Sequence, residues 1–188
     1  MYKILIVDDE VLARVGITAL ISWEEHGFTI VGEAENGKKA LELARKYRPD
    51  IIITDIKMPV MDGIELIKTL KSEGFDTRFL VLSSYNDFKY VKEAMKHGAD
   101  EYLLKLQLEP ENLIGTLKAL TEKLEEERKE NEKRQIIEKY YDVGIPLVRE
   151  NFLRDLLFNE SLSMDEIELQ KGFLNITLPE QNLICLVL

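Results

Sequence analysis

The chain has 188 residues, a formal net charge of -10 and a pI near 4.9, so its own surface is a poor match for a nucleic-acid backbone. Its 45% hydrophobic share is that of an ordinary globular protein, and a single cysteine, Cys185, excludes an internal disulfide and fits a reducing compartment. No apolar stretch is long enough to span a bilayer, and the apolar start at residues 1–7 meets Asp8-Asp9-Glu10 too soon for a signal peptide, so a cytoplasmic protein is expected.

Strand-like and helix-like patterns alternate over residues 1–105. Residues 4–7 read as a first strand, and 11–23 as a helix with Leu12, Val15, Leu20 and Ile21 on its apolar side. Gly27 marks a turn before a second strand at 28–31. Asn36 suits the N-cap of a helix through Ala40, Leu41 and Ala44 that ends near Pro49. The third strand carries Ile51, Ile52 and Ile53, a run suited to burial on both faces, and delivers Asp55 at its carboxyl end. Pro59 and Asp62-Gly63 then turn the chain into a third helix with Ile64, Leu66, Ile67 and Leu70, stopped at Gly74. A fourth strand at 78–82, a helix from about 87 to 97 closed by Gly98, and a fifth strand at 100–104 complete the alternation. Strands that alternate with helices predict an α/β fold, a five-stranded parallel sheet of flavodoxin-like order 2-1-3-4-5 with helices on both faces.

Beyond Lys105 the pattern changes. Pro110 opens a helix in which Leu113, Leu117, Leu120 and Leu124 recur at spacings of four, three and four. The same rhythm passes Glu127 and lands on Asn131 within a run that is nearly all charged, from 125 to 134. Two readings stand: a solvated helical linker, or a parallel coiled coil with Asn131 at a core position. Residues 1–120 are expected as one domain, 121–143 as this linker, and 144–188 as part of a second α+β domain. In that part Phe152, Leu153, Leu156 and Leu157 suggest one helix, Ser163 and Glu166 a capping box opening another, and 182–188 a strand. A chain that stops on a strand-like Leu-Ile-Cys-Leu-Val-Leu is expected to continue in the intact protein.

The predicted order brings Asp8 and Asp9 (after the first strand), Asp55 (third), Ser83 (fourth) and Lys105 (fifth) to one edge of the sheet, where open α/β sheets hold their ligands. Carboxylates about 4 Å apart repel by on the order of 4 kcal/mol per pair at an effective dielectric near 20. Such a site favours a hard divalent cation with oxygen ligands, Mg2+ above all. An acid nucleophile, a metal, a lysine and a hydroxyl are what phosphoryl transfer to a carboxylate needs. Taken singly the residues have plainer readings: Asp8 and Glu10 as helix caps, Ser83 as a loop hydroxyl, Tyr102 as a half-buried strand aromatic, Lys105 as a solvated strand end.

Together, Ile4-Leu-Ile-Val-Asp-Asp-Glu10, Asp55-Ile-Lys-Met-Pro59 with Asp62-Gly63, Leu82-Ser83-Ser84 and Gly98-Ala-Asp-Glu-Tyr102-Leu-Leu-Lys105 strongly resemble the receiver domain of two-component response regulators, over about residues 1–120. The resemblance implies that Asp55 accepts a phosphoryl group from a sensor histidine kinase. It implies that Asp9 ligates magnesium directly, Asp8 assists through water, and Lys57 offers its backbone carbonyl. It also implies that Ser83 and Tyr102 form a switch pair and that Lys105 holds the phosphoryl oxygens. The protein would catalyse its own aspartyl phosphorylation and dephosphorylation without being a turnover enzyme. One departure is Leu106, where receivers commonly have proline after the lysine, so the loop is expected to be trans or reshaped.

The 21–28 segment, the Ser84-Tyr85-Asn86-Asp87-Phe88 loop and the long linker resemble response regulators with an AraC-type helix-turn-helix output. That implies a homodimer, with DNA bound only through a C-terminal domain that residues 121–188 do not contain. A response regulator with an enzymatic or protein-binding output is the alternative. A metal-dependent phosphohydrolase ranks lower because its nucleophile follows the first strand in an acid-x-acid pattern. A flavin-binding module is weaker still, since no Ser/Thr/Gly-rich loop follows that strand.

Overall fold

Strands apolar at every inner position need cover on both faces, and the chain provides it with helices of two kinds. The computed structural model describes residues 1–84 and 88–158, together with Ile167 and Lys171. It contains five parallel strands: β1 (Tyr2–Val7), β2 (Phe28–Ala34), β3 (Ile51–Asp55), β4 (Arg78–Ser83) and β5 (Glu101–Leu104). Their order is β2-β1-β3-β4-β5, the flavodoxin-like order expected from the sequence. The helices are α1 (Val11–Leu20), α2 (Gly37–Tyr47), α3 (Gly63–Ser72), α4 (Phe88–Lys96) and α5 (Pro110–Phe158), with a 3-10 turn at Trp23–His26 and another at Lys105–Gln107.

Because strand side chains alternate, each apolar run feeds two cores. Leu5, Val7, Ile52, Phe79 and Val81 face α2, α3 and α4, meeting Ala40, Ala44, Ile64, Leu66, Ile67, Leu70 and Val91. Ile4, Ile6, Ile51, Ile53, Leu80 and Leu82 face the other way, meeting Ile17 of α1 and Leu113, Leu117 and Leu120 of α5. Each fully buried side chain of this size contributes about 1.5–3 kcal/mol of transfer free energy.

Two sequence expectations change. Helix α1 ends at Leu20 and not at residue 23, and Leu12 and Val15 are exposed, at 85% and 56%, while Ile17 is the residue it buries. Only Asp8 to Glu10 separate β1 from α1, so the first turns of the helix stand beside the strand ends, short of the sheet face. The leucine stripe of α5 is also spent differently. Leu113, Leu117, Leu120 and Leu124 are all buried within the first compact unit, so a coiled coil can use this rhythm only past Leu124.

The chain divides into two compact units, Met1–Glu127 and Arg128–Leu188. In the second, the described residues are mainly the continuation of α5, which stays helical through Gly144 and Pro146, where a new domain was expected to open. The expected capping box at Ser163 and Glu166, the strand at 182–188, Cys185 and the loop residues 85–87 lie outside the described residues. All described peptide bonds are trans, and Leu106 lies in the 3-10 turn, exposed.

Leu117→Ala should cost about 3 kcal/mol in urea unfolding of the first unit, as for a leucine deleted from a packed core. A change within about 0.5 kcal/mol, the range of surface substitutions, would show instead that this face of α5 is not packed on the sheet.

Candidate functional site

Parallel strands in register deliver their ends to one place. Val7 pairs with Thr54, Asp55 with Leu82, and Ser83 with Leu104, so the residues that end or follow β1, β3, β4 and β5 converge. Asp8 and Asp55 are buried, Asp9 is exposed, and one carboxylate oxygen from each lies within 4.8 Å of the others. The Lys105 Nζ sits 2.8 Å from Oδ2 of Asp8 and 2.8 Å from Oδ2 of Asp55. The remaining carboxylate oxygens are held by main chain: Asp55 Oδ1 accepts from the Ile56 N–H at 2.6 Å, and Asp8 Oδ1 from the Glu10 N–H at 3.0 Å.

One ammonium against three carboxylates leaves an excess of negative charge. Burial raises the Asp55 pKa and the nearby Asp8 charge adds to this, and together they outweigh the opposing pull of Lys105. For Lys105, burial favours the neutral amine, but Asp55 and Asp8 outweigh it and the pKa is raised. The three acids therefore fit a small hard cation: they are oxygen donors, close enough to share one ion, and short of positive charge.

Two glycines let the loop after β3 close tightly. A Cβ on Gly63 would lie 2.2 Å from the Asp55 carbonyl oxygen, and one on Gly37 would lie 2.7 Å from the Met61 carbonyl oxygen. Their N–H groups donate to Ile56 O and Met61 O, each at 2.9 Å. Asp62 caps α3 in a reciprocal capping box with Glu65. Between them Val60 adopts φ +71°, a left-handed conformation unusual for a β-branched residue.

The other predicted residues divide. The Ser83 hydroxyl is fully buried and has no hydrogen-bond partner among the described residues, a state that ordinarily costs about 1–3 kcal/mol. Tyr102 stands largely exposed on β5. Lys57 follows Asp55 by two residues, is exposed, and places its Nζ 4.7 Å from the centre of the Tyr90 ring on α4. Sequence reasoning missed Arg14. Its Nη1 donates to the Asp8 carbonyl at 2.7 Å, and its Nε pairs with Glu33 at 3.3 Å. It is the single charged residue of α1, which is the signal that marks it.

A family profile described as response regulator receiver domain matches residues 4–118. The "Uncharacterized transcriptional regulatory protein YesN" of Bacillus subtilis (strain 168) is 48% identical over 105 residues, 56% of this chain and 28% of that protein. The chain spans 28 to 41% of the length of the first curated relatives it matches. Among solved structures, the REC domain of AraT, a response regulator from Geobacillus stearothermophilus, is 39% identical with a TM-score of 0.63, covering 68% of this chain and 98% of that one. A two component transcriptional regulator AraC from Clostridium phytofermentans ISDg is 34% identical with a TM-score of 0.62, covering 68% and 98%.

Folding raises the Asp55 pKa, so the folded state holds this proton more tightly than the unfolded chain does. The stability tied to it is fully present below the ordinary value of 3.8 and is lost as pH rises through the raised folded value. Asp55→Asn, which cannot ionise, should therefore melt above wild type at neutral pH without divalent ions. The gap should close as pH falls toward 3.8. Thermal midpoints across a pH series check this, and a gap that widens toward acid contradicts it.

Proposed function

The chain belongs to the response regulator receiver family, and on that premise we propose that it accepts a phosphoryl group on Asp55 from the phosphohistidine of a sensor histidine kinase. The observation that carries this reading is the Lys105 ammonium shared between Asp8 and Asp55, with Asp9 beside them at the strand ends. Asp9 and Asp55 would hold magnesium directly, Asp8 through water, and Lys57 by its backbone carbonyl. Magnesium, when bound, supplies positive charge to the transferring phosphoryl oxygens.

The chain's own residues do the rest. The Asp55 carboxylate attacks phosphorus in line. A bond forms between its oxygen and phosphorus as the phosphorus–nitrogen bond of the donor breaks, and the electron pair leaves with the imidazole. Transfer removes the charge that Asp55 offered Lys105, and the ammonium, still anchored by Asp8, turns to the new phosphoryl oxygens. The unpartnered Ser83 hydroxyl gains an acceptor in one of them, and Tyr102 follows inward from its exposed position. The readout is a conformational shift that favours a homodimer. It drives transcription regulation through an AraC-type DNA-binding domain outside residues 1–188, in the cytoplasm. None of the described helices is long and apolar enough to cross a membrane.

Intact-protein mass spectrometry after incubation with acetyl phosphate and Mg2+ tests the reading. One phosphoryl group should appear on wild type and none on Asp55→Asn, with uptake slowed in Lys105→Met. Equal incorporation in Asp55→Asn, or release of many equivalents of phosphate per chain, would contradict it, the second outcome pointing to a phosphohydrolase.

A further inference from the structure

We infer that Arg14 is a positioning residue for the cation site: it orients the Asp8–Asp9 peptide, and with it the Asp9 carboxylate. β1 ends at Val7, so Asp8 and Asp9 lie beyond the strand ladder and need other supports. Asp8 has three. Its N–H donates to Ala34 O at 3.1 Å, its Oδ1 accepts from Glu10 N, and its carbonyl accepts from Arg14 Nη1 at 2.7 Å. The third acts directly on the peptide that joins the two acids, because the carbonyl of Asp8 and the N–H of Asp9 share one rigid plane. Fixing that plane fixes where Asp9, the exposed member of the cluster, begins its side chain.

The guanidinium is itself held. Its side chain is 14% exposed, and Nε meets Glu33 Oε2 at 3.3 Å on β2. A planar fork tied at one end to a strand and at the other to a carbonyl gives direction that a lysine could not match. Glu33 also cancels the charge Arg14 would otherwise bring beside a cation, so its contribution is geometric. Helix α1 spends its single charged position on this contact, in a segment otherwise made of Val, Leu, Ala, Gly, Ile and Thr.

The inference rests on the magnesium reading above, and the test separates the two. Mg2+ is titrated calorimetrically into wild type, Arg14→Met, Arg14→Met/Glu33→Met, Arg14→Lys and Glu33→Gln, with thermal unfolding recorded for each. Groups that orient ligands typically change metal affinity 10- to 100-fold. Affinity should fall about tenfold in Arg14→Met and remain low in the charge-balanced double variant, with Arg14→Lys between these and wild type. Glu33→Gln should show a smaller loss in the same direction, and Arg14→Lys, which keeps the charge but not the planar fork, decides the matter if Arg14→Met does not fold. Affinities equal to wild type in the folded variants overturn the proposal. So does tighter binding in Arg14→Met that returns to the wild-type value in the double variant, since that is the signature of charge alone. Failure of wild type to bind Mg2+ overturns the magnesium reading and this inference with it.

Discussion

One ammonium held between two carboxylates organises the strand ends. Lys105 follows β5, which among the described residues pairs only with β4, yet its Nζ reaches Asp55 at the end of β3 and Asp8 after β1. The parallel register from β1 to β5 is thus a requirement of the site as much as of the core. A shift of one residue in any of these strands would turn its end residue to the other face. The same triad leaves charge unbalanced, and the Ser83 hydroxyl has no partner among the described residues; the proposed cation and phosphoryl group would meet both.

The loop after β3 keeps Asp55 in place by close backbone contact. Gly63 lets the N-terminus of α3 come up against the Asp55 carbonyl, and Gly37 does the same for α2 against Met61. The capping box of Asp62 and Glu65 fixes where α3 begins, while Val60 takes the backbone strain of the turn at an exposed position. Arg14 plays the matching part after β1. Both loops that carry acids are therefore tied to the first turns of helices, and the site is set by backbone geometry as well as by its charged groups.

Most of this was legible in the sequence. The run Ile51-Ile52-Ile53 announced that β3 is buried on both faces, β1 and β4 read as strands, and the acids, serine and lysine at the strand ends could be placed at one edge from the strand order alone. What stayed hidden has physical reasons. A heptad-like leucine stripe is the same in sequence whether it meets another helix or the face of a sheet, so Leu113, Leu117 and Leu120 did not reveal that they complete the α5 side of the core. Periodicity likewise does not say where a sheet ends, which is why Leu12 and Val15 are exposed. Arg14 binds a backbone carbonyl, and carbonyls have no sequence signature. The isolation of the Ser83 hydroxyl depends on the packing of every neighbour at once.

The most direct measurement is a heteronuclear NMR titration of the 15N-labelled chain, first with Mg2+ and then with beryllofluoride as a stand-in for a phosphoryl group. The account predicts that Mg2+ shifts the amides of Asp8, Asp9, Asp55 and its loop, and that beryllofluoride then moves Lys105, Ser83 and Tyr102, with both effects lost in Asp55→Asn. Shifts centred elsewhere in the wild type, or a second step that leaves Ser83 and Lys105 unmoved, would contradict the claim that these strand ends form one switchable site.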